Sequence, residues 1–176
     1  MSDYGQPGAY DPADVGVRAV PTVEVQILEL PLPVWERSQE HVDGLLREFA
    51  LLVSGQSGTP SSTVPHQLLE LVEELQADYE GMTTAQEESI VAAAEAGESS
   101  IDLVYHVPDQ VAEACTRLDA ALDEADRYCR EGEYLLSLAT PPEALAFRRW
   151  FLTQFVDQIA GQPPQAWPHW QDAHRN

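Results

Sequence analysis

The sequence predicts a mainly helical α+β fold, in which about five helices pack on a small two-stranded β element. Long segments with apolar residues at helical spacing alternate with short strand-like segments that end at prolines. The chain has 176 residues, which fits one domain with one core. Its hydrophobic content of 44% is too high for a wholly disordered acidic protein.

The first half of the chain predicts a strand followed by two long helices. Apolar and polar residues alternate over residues 23–27, and the prolines that follow end this strand. A broad apolar face predicts a helix over residues 34–54. After a polar loop, a second helix begins near Pro65, because proline is favoured in the first helical turn, and it ends near Glu80.

The second half predicts the same kinds of element in the same order. A connecting helix over residues 85–97 leads into an alternating strand over 101–107. A helix with a coiled-coil-like apolar seam follows over residues 109–131. The fifth helix begins at two adjacent prolines and ends near Gly161.

The two halves match without a gap, which suggests an internal repeat. The possible half-repeats are residues 23–80 and 99–160, and a constant shift of 76 residues between them places Ile27 on Leu103. This pattern predicts a pseudo-twofold β-α-α repeat whose two strands pair side by side. Two unrelated amphipathic segments can also match in this way by chance, and identities between the halves are few.

Two terminal segments flank the predicted domain of residues 21–161. Residues 1–20 are rich in Gly, Pro, Asp and Ala, which predicts a disordered tail. Residues 162–176 are rich in Pro and Trp, and this tail either covers the domain's own surface or offers an aromatic segment to a partner. We see neither a secretion signal nor a membrane span, so we expect a cytoplasmic protein.

The charge of the chain limits its partners. Thirty acidic residues oppose nine basic residues, all of them Arg, and the formal net charge is −21. Such a surface disfavours nucleic acids and anionic membranes and favours a basic or amphipathic protein. The absence of Lys also excludes Schiff-base chemistry and Lys-based phosphate chemistry.

An acidic cluster on the helix over residues 109–131 is the main candidate for chemistry. It consists of Asp119, Asp123, Glu124 and Asp126, and carboxylates at this spacing can bind Mg²⁺ or Ca²⁺. A carboxylate-dependent metal enzyme is therefore one alternative. No second helix supplies the matching acids and His of a di-metal bundle. We therefore expect a solvated helix face, with no catalytic residue, cofactor or metal.

The predicted fifth helix is apolar nearly all round, so it is either central to the core or partly buried by a partner. Its two adjacent arginines need carboxylate partners if they are buried, and the preceding acidic helix offers many. Aromatic residues and Arg are enriched at interface hot spots. The candidates for binding a partner protein, or a second copy in a homodimer, are Phe147, Arg149, Trp150, Trp167 and Trp170.

Two segments carry a resemblance to a known group of proteins. Residues 32–52 (LPVWERSQEHVDGLLREFALL) and 139–168 (ATPPEALAFRRWFLTQFVDQIAGQPPQAWP) resemble small uncharacterised acidic proteins of actinobacteria. These occur among partner-switching regulators, near STAS-domain antagonists and anti-sigma ATPases. The resemblance implies a non-catalytic regulatory or protein-interaction module in stress or sigma-factor signalling. A metal enzyme and an acidic mimic of nucleic acid remain the alternatives.

Overall fold

The computed structural model describes residues 21–55, 63–132 and 139–173. Within these ranges the chain forms two strands and six helices, and the mainly helical α+β class is confirmed. The elements in chain order are β1 (Thr22–Pro31), α1 (Leu32–Gly55), α2 (Thr63–Asp78), α3 (Thr84–Glu95), β2 (Ser100–Pro108), α4 (Val111–Glu131), α5 (Pro142–Ile159) and α6 (Trp167–Ala173). The predicted disordered tail of residues 1–20 lies outside the described residues.

The two strands pair directly with each other in antiparallel orientation. Their adjacency, which an internal repeat requires, is confirmed. Ile27 faces Leu103 near the middle of the sheet, and these are also the residues that the match between the halves relates. A twofold axis between the halves would therefore pass through this pair. Common descent of the halves stays a prediction.

A β-bulge in β1 changes which side chains face the core. Leu28 and Glu29 together lie opposite Asp102, and Glu29 has a φ of 54°, a left-handed conformation that residues other than Gly rarely adopt. Asp102 Oδ1 accepts a hydrogen bond of 2.7 Å from the Glu29 N–H. Because the bulge adds one residue, Leu30 points inward like Ile27, three positions before it.

The helix α5 covers the inner face and the outer edge of β1. The side-chain amide of Gln158 donates to the Gln26 carbonyl and accepts from the Gln26 N–H, each at 2.8 Å. These two bonds satisfy edge groups that a two-stranded sheet otherwise leaves open. The inner face of the sheet thereby becomes part of the main apolar core.

The segment after α5 belongs to the domain and is not a separate tail. Trp167 and Trp170 are buried in the main core, and the Trp150 indole N–H donates to the Gln165 carbonyl at 2.8 Å. Two roles were considered for residues 162–176. The part up to residue 173 has the first of them, because it covers the domain's own surface. The helix α6 could not be predicted from the sequence, because Pro168 and the short length of the helix mask a helical pattern.

Candidate functional site

The five predicted partner-binding residues do not form a surface patch. Trp150 is fully buried, and Phe147, Trp167 and Trp170 expose less than a tenth of their area. Their rings pack on one another, with the Trp150 and Trp167 centroids 5.3 Å apart. Of the two alternatives for α5, the central core helix is therefore the one that the structure shows for these four residues. Arg149 alone is exposed, and it lies 3.6 Å from an Asp123 oxygen.

The acidic cluster on α4 is held mainly by one arginine of α5, the largely buried Arg148. The Arg148 Nε donates to Asp119 at 2.9 Å, and its Nη2 donates to Asp123. Asp126 is almost fully buried, and one of its oxygens lies 3.9 Å from the Arg148 Nη1. The predicted solvated face is therefore correct only for part of the cluster. Three of its carboxylates hold α5 against α4.

A hydrogen-bonded link joins this ion-pair network to α1. Asp126 Oδ1 accepts from the Thr140 backbone N–H at 2.8 Å, and the Thr140 hydroxyl lies 3.1 Å from His41 Nε2. Burial lowers the pKa of His41, and the neighbouring Asp126 opposes this shift. His41 is therefore held neutral by its surroundings in the folded chain at neutral pH.

This link gives a pH prediction. The unfolded chain takes up a proton at His41 near its ordinary pKa of 6.5, whereas the folded chain resists it. The His41 contribution to stability is thus present above that pH and is lost as the pH falls below it. We expect the wild type to lose more unfolding free energy than His41→Gln between pH 7.5 and 5.5. Urea unfolding measures this, with exposed His66→Gln as the control; parallel curves for wild type and His41→Gln would contradict it.

Neither cysteine has the environment of a reactive thiol. Cys115 and Cys129 are both free and buried in the helix α4. Burial raises the pKa of Cys115 to about 12 and that of Cys129 to about 11. Both side chains are therefore thiols at neutral pH and pack as small hydrophobic residues. Within the ranges that the structure describes, no group of His, Cys, Asp and Glu side chains has a geometry that could hold a metal ion.

The best candidate site on the surface is a groove between the start of α1 and α3, here called the α1–α3 groove. Gly97, with a φ of 74°, ends the α3 segment in a left-handed conformation. The Ser99 carbonyl then accepts a hydrogen bond of 3.1 Å from the Leu32 N–H. This bond ties the end of α3 to the start of α1, and a groove of about 360 Å³ opens between the two helices.

The α1–α3 groove combines an apolar floor with an acidic rim. Leu32 and Ile90 are buried in the core, Trp35 is half-buried, and Val91 is 54% exposed. The charged residues that line it are Glu36, Glu95 and Glu98. No cation is among its lining residues in the described part of the chain. Trp35 lies on the broad apolar face that predicted a helix over residues 34–54, but the groove itself could not be predicted, because α3 reaches α1 only through tertiary structure.

Across residues 21–55, 63–132 and 139–173, none of the helices combines the length and the apolar character needed to cross a bilayer. No protein-family model, no curated protein and no solved structure matches the chain.

Proposed function

We propose that this chain is a non-catalytic regulatory module of the cytoplasm that binds a basic, amphipathic segment of a partner protein in the α1–α3 groove. One observation carries the proposal: exposed Val91 lies beside half-buried Trp35 on a surface whose charged lining residues are all acidic. Exposed apolar patches with polar rims usually mark contact sites. A tryptophan at the centre of such a patch is a common hot-spot residue.

The charge of the groove selects the kind of partner. Glu36, Glu95 and Glu98 attract Lys and Arg residues that flank the apolar face of a binding segment. The net charge of −21 adds long-range attraction for a basic protein. It also opposes the approach of a second copy of the chain, which makes a homodimer the less favoured occupant.

The other parts of the proposal have separate support. The carboxylates that a metal-dependent enzyme would use at Asp119, Asp123 and Asp126 form ion pairs with Arg148, which supports a non-catalytic role. The resemblance to proteins found among partner-switching regulators supports a role in stress or sigma-factor signalling. In such a circuit the module would hold or release its basic partner.

Two synthetic peptides test the proposal. One is a basic amphipathic helix with Lys on its polar face, and the other has Glu at the same positions. We expect the basic peptide to bind and to shift amide resonances around Trp35 and Val91. Val91→Asp should weaken binding at least about tenfold, because it places a charge in the apolar floor. Leu51→Asp, at another exposed apolar position on a helix, should not.

The choice of Val91→Asp separates docking from general charge attraction. The variant is more acidic than the wild type, so it should bind a basic peptide more tightly if only charge matters. Unchanged or tighter binding would overturn the proposal. A dimer that Val91→Asp abolishes, seen by analytical ultracentrifugation, would replace the basic partner with a second copy.

A further inference from the structure

An apolar cavity lies between α2, α4, α5 and β2. It shares no lining residue with the α1–α3 groove. Its volume is about 220 Å³, and its walls are almost entirely apolar. The side chains that define it are Leu75, Tyr79, Tyr105, Cys115, Leu118 and Phe155. Protein interiors are normally close-packed, so a space of this size needs a structural cause.

The cause is a difference between the two halves of the chain. The helix α5 packs closely on β1, whereas its counterpart α2 makes few contacts with β2. The residues that match Phe147 and Phe155 of α5 are Leu71 of α2 and Tyr79 just after its end, and both stay half-buried. The space that α2 leaves open beside β2 is the cavity.

The cavity is large enough for a small organic molecule. An apolar cavity of about 150 Å³ stays dry and takes up benzene. The present cavity exceeds that volume, and a second cavity of about 310 Å³ shares Leu118, Phe151 and Leu152 with it. Burial raises the pKa of both Tyr105 and Cys115 to about 12, so neither side chain places a charge inside.

The open end of the cavity carries surplus negative charge. It lies at the turn between α2 and α3, where Met82 is partly exposed and the Thr83 hydroxyl donates to Glu87 at 2.6 Å. Burial and the nearby Asp78 raise the pKa of Tyr79, whereas Arg117 lowers it and Glu113 acts in the same direction as Asp78.

Arg117 acts against these carboxylates at Tyr79, but it has a carboxylate partner of its own. Both terminal nitrogens of Arg117 donate to the Glu74 carboxylate, at 2.9 and 3.1 Å, so Arg117 is neutralised by Glu74. The carboxylates of Asp78, Glu87 and Glu113 are left to set the charge of the entrance. A ligand that enters here meets an acidic mouth and then an apolar interior.

We infer that this cavity binds a small apolar amine, with its hydrocarbon body inside and its ammonium group at the acidic mouth. The volume sets the size of the body, and the apolar walls exclude a ligand with polar groups along its length. The three carboxylates favour a cation over a neutral head group, and a neutral head group over an anion. This site is separate from the α1–α3 groove, so the inference does not depend on whether that groove binds a protein.

Three ligands with the same chain and different head groups test the inference. The neutral dye N-phenyl-1-naphthylamine reports occupancy by its fluorescence, and n-octylamine, n-octanol and octanoate compete with it. We expect displacement at the lowest concentration by n-octylamine and at the highest by octanoate. Octanoate that competes as well as n-octylamine, or a dye that does not bind, would overturn the inference.

Two sets of variants locate the site. Ala114→Leu fills the cavity and should weaken n-octylamine binding at least about tenfold, whereas Ala121→Leu, on the same helix outside the cavity, should not. Asp78→Asn with Glu113→Gln should reduce the advantage of the amine over the alcohol, and Glu131→Gln should leave it unchanged. Unaltered binding in a folded Ala114→Leu chain would place the amine elsewhere.

A direct measurement keeps the test valid if Ala114→Leu fails to fold. In the wild type, nuclear Overhauser effects should connect the terminal methyl group of n-octylamine to the rings of Tyr105 and Phe155. Effects confined to exposed acidic residues would show surface binding only and would contradict the proposed site.

Discussion

Replacing Trp150 with alanine is expected to lower the free energy of unfolding by about 3–5 kcal/mol. Trp150 is fully buried, and its ring packs against Phe147 and Trp167 at centroid distances of 5.7 and 5.3 Å. Its indole N–H also donates to the Gln165 carbonyl, which anchors the segment leading into α6. Truncation therefore leaves both a cavity and an unpaired carbonyl, and urea unfolding measures the loss.

Two further variants show which part of Trp150 matters. Trp150→Phe keeps most of the ring volume and removes the hydrogen bond, so its loss should be smaller than that of Trp150→Ala. Leu51→Ala, at a position 60% exposed, should stay within about 0.5 kcal/mol of the wild type. A folded Trp150→Ala chain of near wild-type stability that binds a partner less tightly would restore the interface role that the sequence suggested.

Replacing Arg148 with methionine is expected to cost on the order of 3 kcal/mol at neutral pH. The side chain of Arg148 is 11% exposed, and it contacts three carboxylates of α4. Without it, Asp126, which is 3% exposed, loses its contact with the buried Arg148 and keeps the ion pair with the exposed Arg130, 3.5 Å away. We place the value at the lower end for buried pairs because Asp119 and Asp123 are partly solvated.

The neighbouring arginine provides the matched control. Arg149→Met removes the same type of side chain from the next position of α5, but Arg149 is half-exposed and meets only one carboxylate, at 3.6 Å. Its loss should cost no more than about 1 kcal/mol. Adding Asp126→Asn to Arg148→Met should recover part of the stability, because it removes a buried charge whose remaining cation, Arg130, is exposed. Equal losses for the two arginine variants would contradict the assigned network.

Most of the secondary structure could be predicted from the sequence because its signals are local. The alternation in residues 23–27 and 101–107 and the apolar stripes of the long helices repeat with the periods of strands and helices. The pairing of Arg148 with acids of α4 was also foreseeable, since a buried guanidinium needs carboxylates. The bulge at Glu29 could not be foreseen, because only the pairing with β2 shows that β1 has one extra residue between Ile27 and Leu30.

The candidate sites depend on contacts between residues far apart in the chain. The sequence of α5 is apolar nearly all round, and that pattern fits either a core helix or a binding surface. Trp150 is buried because Trp167 packs against its ring and because both residues lie in one core cluster with the apolar side chains of β1. The α1–α3 groove likewise lies between two helices that are distant in sequence, and the bond from the Leu32 N–H to the Ser99 carbonyl ties their ends together.

The sequence by itself determined the class of the fold, the order of its elements and the strongly acidic charge, because composition and short-range periodicity suffice for these. Tertiary structure alone decided which aromatic residues are exposed and where space is left between the elements. The physical reason is that burial is a property of neighbours, and these neighbours lie on other helices and strands. The loose packing of α2 beside β2, which opens the cavity, has no signature in either segment alone.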